Sequence, residues 1–460
     1  IRSLYPKLEI EGGAGVRPHK NSINNYYYPE NPEAGIDLFL EKLVQETEKE
    51  HEDILEQADE TDAMFGELYS WYLRNPEYRS RIQKLVQSAF AGKPKDIISQ
   101  SVAKALYGEV SPYSATRLER FAACAFAHFL QYGMKLTERV EYEFKPMDMG
   151  NVMHEALESF AEEVRKRGMK WTELTEQERN EIADRCLDNI VADYGNTVLK
   201  SSARNEYMIE RTRRILRRTV WALQKQLEQG EFQPEGFEVT FGGGRIDRVD
   251  IMEDQNKVYV KVIDYKTGNT SFDLVYLYHG LQLQLMIYLD GALRVEQKKY
   301  PDKEIIPAGV FYYNIKDPMI QEKIDADVEA VSAGLMKELK MNGLVQADPE
   351  LVYRMDSSLG SIPVAFNKDG SFRKNSSVAD RTQFAVLGRY VRTKIEKIRS
   401  SILEGDAEVS PYELGKKNAC TYCPYMTVCG FDRRLSGYEF RRLKNFSDEE
   451  LWKAFDREAE

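Results

Sequence analysis

The run GFEVTFGGGRIDRVDIMEDQNKVYVKVIDYKTG, residues 236–268, reads as three short strands, GFEVTFG, GRIDRVDIM and KVYVKVIDYKTG, split by Gly, Asp and Asn turns. A β-meander is the expectation. Side chains at i and i+2 of a strand share a face, so Asp264 and Lys266 point the same way at the end of the third strand. Asp247 lies beside them if the second and third strands pair. Two convergent carboxylates are hard oxygen ligands of the kind Mg²⁺ accepts, and Mg²⁺ keeps sites open for water and substrate phosphate. A neighbouring ammonium can stabilise a hydroxide attacking phosphorus. For the D-x-K triplet alone, a surface ion pair on an edge strand is the better reading; Asp247 upstream and a helix downstream shift the balance.

Outward from this run the period changes to that of helices. LVYLYHGLQLQLMIYLDGAL (274–293) reads as one helix, with Gln284 and Tyr288 on a common face, and PAGVFYYNI (307–315) as a further strand. Upstream, GNVMHEALESF opens a helix from Asn151 to about Arg167 that carries His154, and two more helices follow near 175–200 and 205–229. Ser114 is the expected N-cap for SATRLERFAACAFAHFLQYG, which also reads as one helix. Residues 1–34, with Tyr26–Tyr28, read as irregular chain after which helices run to about 91, and a break is expected at Gly108–Pro112. Residues 343–380 look loop-rich with a hairpin at Lys368–Gly370, before a basic helix over about 380–403. Helices, three strands, a helix and a strand make an α/β core behind a helical preface. His128 and His279 have no comparable setting and read as structural.

Composition bounds the function. With 460 residues, 42% hydrophobic and 30% charged, the chain has a globular profile. It opens IRSLYPKLEI, without an initiator Met or signal-peptide core, and is expected to be a soluble, cytoplasmic segment of something longer. The net charge of −11 argues against purely electrostatic nucleic-acid binding, but it hides local patches. Residues 41–62 hold ten acids and two bases, whereas 368–399 hold nine bases and three acids, with Phe372, Phe384 and Tyr390 nearby. Arg211, Arg213, Arg214, Arg217 and Arg218 crowd one helix, where Arg211, Arg214 and Arg218 are candidates for a phosphate backbone. No G-x-x-x-x-G-K-[ST] loop occurs; Gly92-Lys93-Pro94 lacks both the first Gly and the Ser/Thr. Cys420, Cys423 and Cys429 fall within ten residues, a metal-ligand pattern that needs a fourth thiolate, either Cys124 or Cys186. Spacing alone suits Zn²⁺ and [4Fe–4S] equally.

In this order GNVMHEALE, GRIDRVD, IDYKTG and the QLMIY helix resemble the RecB-type nuclease domain of the PD-(D/E)XK superfamily. SATRLERFAACAFAHFLQYGMKL before that core and CTYCPYMTVCGFD after it are similar to the C-terminal part of the AddB family of bacterial AddAB helicase–nucleases. The resemblance covers about 105–445. It implies the PD-(D/E)XK fold, a mixed sheet flanked by helices, with 1–104 as the end of a helicase-like region and 446–460 as a tail. It implies a catalytic Mg²⁺ on His154, Asp247, Asp264 and the Tyr265 carbonyl, with Lys266 as catalytic lysine and Gln284 and Tyr288 in a substrate-side role. A [4Fe–4S] cluster on Cys124, Cys420, Cys423 and Cys429 is implied too, leaving Cys186 out. The family usually has Pro-Phe after its first cysteine; here Ala125-Phe126 follows, a matter of local turn geometry. The implied activity is exonuclease processing of DNA ends for recombinational repair, acting on a single strand beside an AddA-type partner. A catalytically inactive Fe–S-stabilised scaffold and a zinc-bound DNA-binding module are the competing readings. Intact Asp247, Asp264, Lys266 and His154 weigh against the scaffold, and iron with acid-labile sulfide would exclude the zinc module.

Overall fold

The structure, a computed structural model, describes residues 32–48, 60–89, 97–108, 114–137, 146–193, 202–242, 244–320, 327–435 and 437–459. The Tyr26–Tyr28 run and most of the Gly108–Pro112 break lie outside the described residues. Helices α1 (Pro32–Glu48), α2 (Glu60–Arg74) and α3 (Pro76–Ala89) come first. Then follow α4 (Gln100–Tyr107), α5 (Ala115–Ala123), the single turn α6 (Ala125–His128), α7 (Pro146–Lys166), α8 (Glu176–Asp193) and α9 (Ala203–Glu228). The middle of the chain forms β1 (Gln233–Phe241), β2 (Gly244–Asp254), β3 (Lys257–Lys266), α10 (Leu274–Tyr278), α11 (Gln284–Lys299) and β4 (Glu304–Asn314). After it come α12 (Val328–Glu338), β5 (Asn342–Gln346), α13 (Pro349–Met355), β6 (Val378–Ala379) and α14 (Arg381–Glu404). The last elements are β7 (Tyr412–Leu414), β8 (Lys417–Asn418), α15 (Met426–Cys429), β9 (Arg441–Arg442) and α16 (Asp448–Ala459).

Two units divide the chain: Ile1–Asp96 with Val428–Phe440, and Ile97–Thr427 with Arg441–Glu460. In the smaller, α1–α3 pack around Ile36, Phe39, Tyr72 and Ile82. The larger is built on a mixed sheet in the order β1-β2-β3-β4-β5-β6. Its first three strands are the expected antiparallel meander. β4 joins β3 in parallel, which requires a crossover, supplied by α10 and α11. Both faces of β3 are covered, so alternate residues feed two cores. Tyr259, Ile263 and Tyr265 pack with Met153, Leu157 and Phe160 of α7 and with Ile215 and Leu223 of α9. Val258, Val260 and Val262 pack on the other face with Leu118 of α5, Leu285 of α11, Tyr390 of α14 and Phe455 of α16. A residue at 264 therefore belongs to a central strand and not to an edge.

Several expected elements are redrawn by tertiary contacts. The segment from Ser114 starts as expected, with Ser114 Oγ accepting the Arg117 N–H, but it breaks at Cys124, whose backbone is extended. The single helix expected over 274–293 is two, because Gly280 turns left-handed (φ +78°) after α10. A Cβ at Gly280 would also meet Ala122 Cβ at 3.2 Å. α7 begins at Pro146, five residues before the expected start. The loop-rich stretch 343–380 contains α13, where Asp348 caps and Pro349 starts the helix, and a bridge between Phe366 and Phe372 closes the expected hairpin. Phe384 and Tyr390, expected beside a basic surface, are 3% and 1% exposed and serve the core.

A fully buried ion cluster lies behind the meander. Arg248 Nε donates to Asp250 Oδ1 at 2.6 Å, and Lys261 Nζ sits 2.9 Å from Asp250 Oδ2. Burial alone would raise the Asp250 carboxyl, but the charges of Arg248 and Lys261 hold it below the usual carboxylate range. Asp250→Ala leaves two cations buried without a counter-ion, which costs about 3–5 kcal/mol. Denaturant unfolding should report that loss, and a loss below about 1 kcal/mol would mean that this cluster is not what holds β2 to β3.

Candidate active site

The site forms where the sheet ends between α7 and α11. Arg248 pairs with Ile263 across β2 and β3, and one further residue along that register sets Asp247 opposite Asp264. Asp247 Oδ2 accepts the Tyr265 N–H at 2.7 Å, which fixes its carboxylate against the end of β3. His154 enters from α7, its Nδ1 3.4 Å from Asp247 Oδ2 and 3.9 Å from Glu238 Oε1, with its ring edge-on to Tyr265. The opposite wall is α11. Gln284 Nε2 donates to Asp264 Oδ1 at 2.8 Å and to the Tyr288 hydroxyl at 2.9 Å, while its Oε1 accepts from Lys266 Nζ at 2.8 Å. Lys266 Nζ also lies 2.6 Å from Asp264 Oδ2. All six residues expected at the centre from side-chain chemistry thus adjoin one another: His154, Asp247, Asp264, Lys266, Gln284 and Tyr288.

Sequence reasoning missed Glu238. Its carboxylate completes a trio with His154 and Asp247 whose ligand atoms lie within 4.8 Å of one another. Asp264 stands beside this trio, turned to Lys266 and Gln284. Glu238 is a non-glycine residue at φ +50° in the middle of β1, and its side chain pairs with Arg245 although it is only 7% exposed. A left-handed residue inside a strand costs about 1–3 kcal/mol and persists where the surroundings impose it. The available signal was a lone Glu facing GRIDRVD across a predicted hairpin, which is indistinguishable by pattern from a solvated strand residue.

Electrostatics show what the pocket would take. Burial and the charge of Asp247 push the Asp264 carboxyl up to about 7, against the pull of Lys266 and His154. Burial would lower the His154 imidazole, yet its contacts with Asp247 and Glu238 lift it to about 10. Asp264 and the His154 imidazole thus tend to hold protons that a cation would displace. Asp264 Oδ2 is buried and, apart from its ion contact with Lys266, accepts no hydrogen bond. A hard divalent ion suits this donor set of carboxylates and one imidazole.

A family model described as "PD-(D/E)XK nuclease superfamily" matches residues 112–430. The chain belongs to that superfamily. Superfamily membership fits the mixed sheet and the carboxylate–lysine site just described. Among curated relatives, a Lachnoclostridium phytofermentans protein is 41% identical over 87% of this chain and 36% of its own length. One from Thermoanaerobacter sp. strain X514 is 34% identical over 87% of the chain and 37% of its own length. A third, from Clostridium novyi, is 33% identical over the whole chain and 42% of its own length. Each bears the name of a subunit of an ATP-dependent helicase/deoxyribonuclease. The chain spans roughly 36–42% of the length of these relatives.

The other expected residues are more scattered. Cys124 packs with Cys423, Leu130 and Tyr425, and the Cys423 N–H donates to the Cys420 carbonyl at 3.1 Å. Arg120 Nη2 approaches Cys423 Sγ at 4.0 Å. Cys186 lies elsewhere, in the core under α7 and α8, and Cys429 falls in the smaller unit. On α9, Arg213 and Arg217 are engaged by Asp188 and Asp184, and Arg214 by Asp317. Arg211 and Arg218 line a groove with Tyr207 and Trp221, and Arg218 stacks over the Trp221 ring.

Glu238→Gly tests the trio. It removes one carboxylate and relieves the left-handed backbone, so Mn²⁺ affinity measured by calorimetry should fall roughly 10–100-fold while the melting temperature holds or rises. Unchanged affinity with a lowered melting temperature would make Glu238 a structural residue.

Proposed function

We propose that this chain is the nuclease module of a helicase–nuclease subunit, a Mg²⁺-dependent DNA exonuclease that trims a single strand emerging from an unwound duplex end during recombinational repair. An AddA-type subunit is the proposed partner and motor. The observation that carries the reading is the convergence of His154, Glu238 and Asp247 beside the Asp264–Lys266 pair. In this reading His154, Asp247, Asp264 and the Tyr265 carbonyl hold Mg²⁺, with Glu238 as an added carboxylate. When bound, Mg²⁺ polarises the scissile phosphate and lowers the pKa of water. The Lys266 ammonium stabilises negative charge on the attacking oxygen and the phosphate. Gln284 keeps Lys266 and Asp264 in register, and Tyr288 keeps Gln284 in its rotamer. Arg211, Arg214 and Arg218 are assigned to the DNA backbone, with Tyr207 and Trp221 offering rings on which bases can stack.

We further assign Cys124, Cys420, Cys423 and Cys429 to a [4Fe–4S] cluster, which would supply a covalent staple. What supports Cys124 over Cys186 is its packing against Cys423. Its ligation would close a loop of 296 residues (420 − 124), worth on the order of 5 kcal/mol by the chain-entropy formula for disulfides.

Asp264→Ala and Lys266→Ala should each lower single-strand cleavage by roughly 10²–10³-fold without lowering DNA affinity. Retention of wild-type rates by either variant would remove the site assignment. Cys124→Ser should lose iron and acid-labile sulfide and melt at lower temperature, whereas Cys186→Ala keeps both elements. The reverse pattern, or zinc in place of iron, contradicts the cluster assignment. Reversing Arg211 and Arg218 to Glu should flatten the dependence of log affinity on log salt by roughly 0.7 per lost phosphate contact. An unaltered slope would leave these arginines as solvated residues.

A further inference from the structure

Helix α11 carries Gln284 but cannot cap its own start. Its N-cap position is Leu283, which has no side-chain acceptor. The missing acceptor comes from α5: Glu119 Oε1 accepts the Leu283 N–H at 2.7 Å and the Gln284 N–H at 2.9 Å. A carboxylate at a helix N-terminus satisfies orphan donors and opposes the positive end of the dipole. The two bonds span 164 and 165 residues of sequence, so the cap is a tertiary contact. Beyond it the chain of contacts is short. Gln284 holds Asp264 Oδ1, Lys266 Nζ and the Tyr288 hydroxyl with a single amide. Any rotation of the first turn of α11 therefore moves the amide on which Lys266 depends.

α5 is itself held firmly. Leu118, Phe121 and Ala122 are buried, the Cys124 N–H donates to the Arg120 carbonyl at 3.1 Å, and Arg441 donates to the Ala122 carbonyl. Burial pushes the Glu119 carboxyl up to about 7, although the Gln284 and Leu283 N–H groups and Lys266 pull it down. Because Glu119 Oε1 acts only as an acceptor of these two N–H groups, a glutamine can match it in shape and hydrogen bonding.

We propose that Glu119 is a positioning residue for phosphodiester cleavage, acting from α5 through the first turn of α11 to hold Gln284, and hence Lys266 and Asp264, in reactive register. This rests on reading the Asp264–Lys266 pair as the nuclease centre. The test uses the full-length protein with single-stranded DNA, comparing Glu119→Ala, Glu119→Asp and Glu119→Gln with Asp264→Ala. Glu119→Ala and Glu119→Asp, the latter one methylene too short, should lower kcat by roughly 10²-fold with KM unchanged. Glu119→Gln should recover most of that rate, because its amide oxygen can accept the same two N–H bonds. If Glu119→Ala fails to fold, the Asp and Gln variants decide alone, and a Gln variant no faster than the Asp variant overturns the proposal. So does a wild-type kcat in the Ala or Asp variant, or a defect confined to KM. An active Asp264→Ala would instead sink the nuclease reading, leaving the two failures distinguishable.

Discussion

The antiparallel register between β2 and β3 is the constraint on which the rest depends. It sets Asp247 across from Asp264 on one side of the pleat and Asp250 across from Lys261 on the other. Because strand side chains alternate, a slip of one residue would exchange these sets. The carboxylates of the site would then turn into the core under α7 and α9, and the Arg248–Asp250–Lys261 cluster would turn toward α11. The buried cluster bears on register through Lys261, whose ammonium is tolerable in the core only when Asp250 lies opposite it. The Tyr265 N–H to Asp247 bond extends the same register to the last residues of β3. Strand pairing, core formation and site geometry are one choice.

Much of this was legible because it is local. The meander follows from alternation and turn residues, the Asp264–Lys266 face from the two-residue period, and the Ser114 cap from its position before an amphipathic run. His154 and the Gln284–Tyr288 spacing needed the family resemblance to raise them above ordinary helix residues. What escaped depends on contacts distant in sequence. Nothing near 274–293 says that the helix restarts at Gln284, because the acceptor that permits it is Glu119. Nothing near Cys124 says that α5 ends there. Phe384 and Tyr390 sit on a helix rich in bases, yet their own face is the one that α16 and α10 cover. The arginines of α9 looked like one patch, but their carboxylate partners come from α8 and from the segment after β4. Glu238 was hidden for a different reason: a single Glu on a strand opposite Asp247 has the pattern of a solvated strand residue.

The site is thus assembled from both faces of the sheet. His154 arrives with the α7 layer and Gln284 with the α11 layer, and each is fixed by a core of its own. Glu238 and Asp247 contribute charge from the first hairpin. The arrangement concentrates carboxylates in a partly water-excluded place, which destabilises the site as it stands and favours a divalent ion there. Protonation of His154 and the raised Asp264 carboxyl are the same tension expressed in protons.

The reading of this crowded place as a divalent-metal site requires that an ion bind there. Diffraction from crystals grown with Mn²⁺, recorded for anomalous scattering, should show a peak at coordinating distance, roughly 2.0–2.2 Å, from Asp247 and at least one of His154, Glu238 and Asp264. No peak there, or a peak only on surface carboxylates elsewhere, would contradict it.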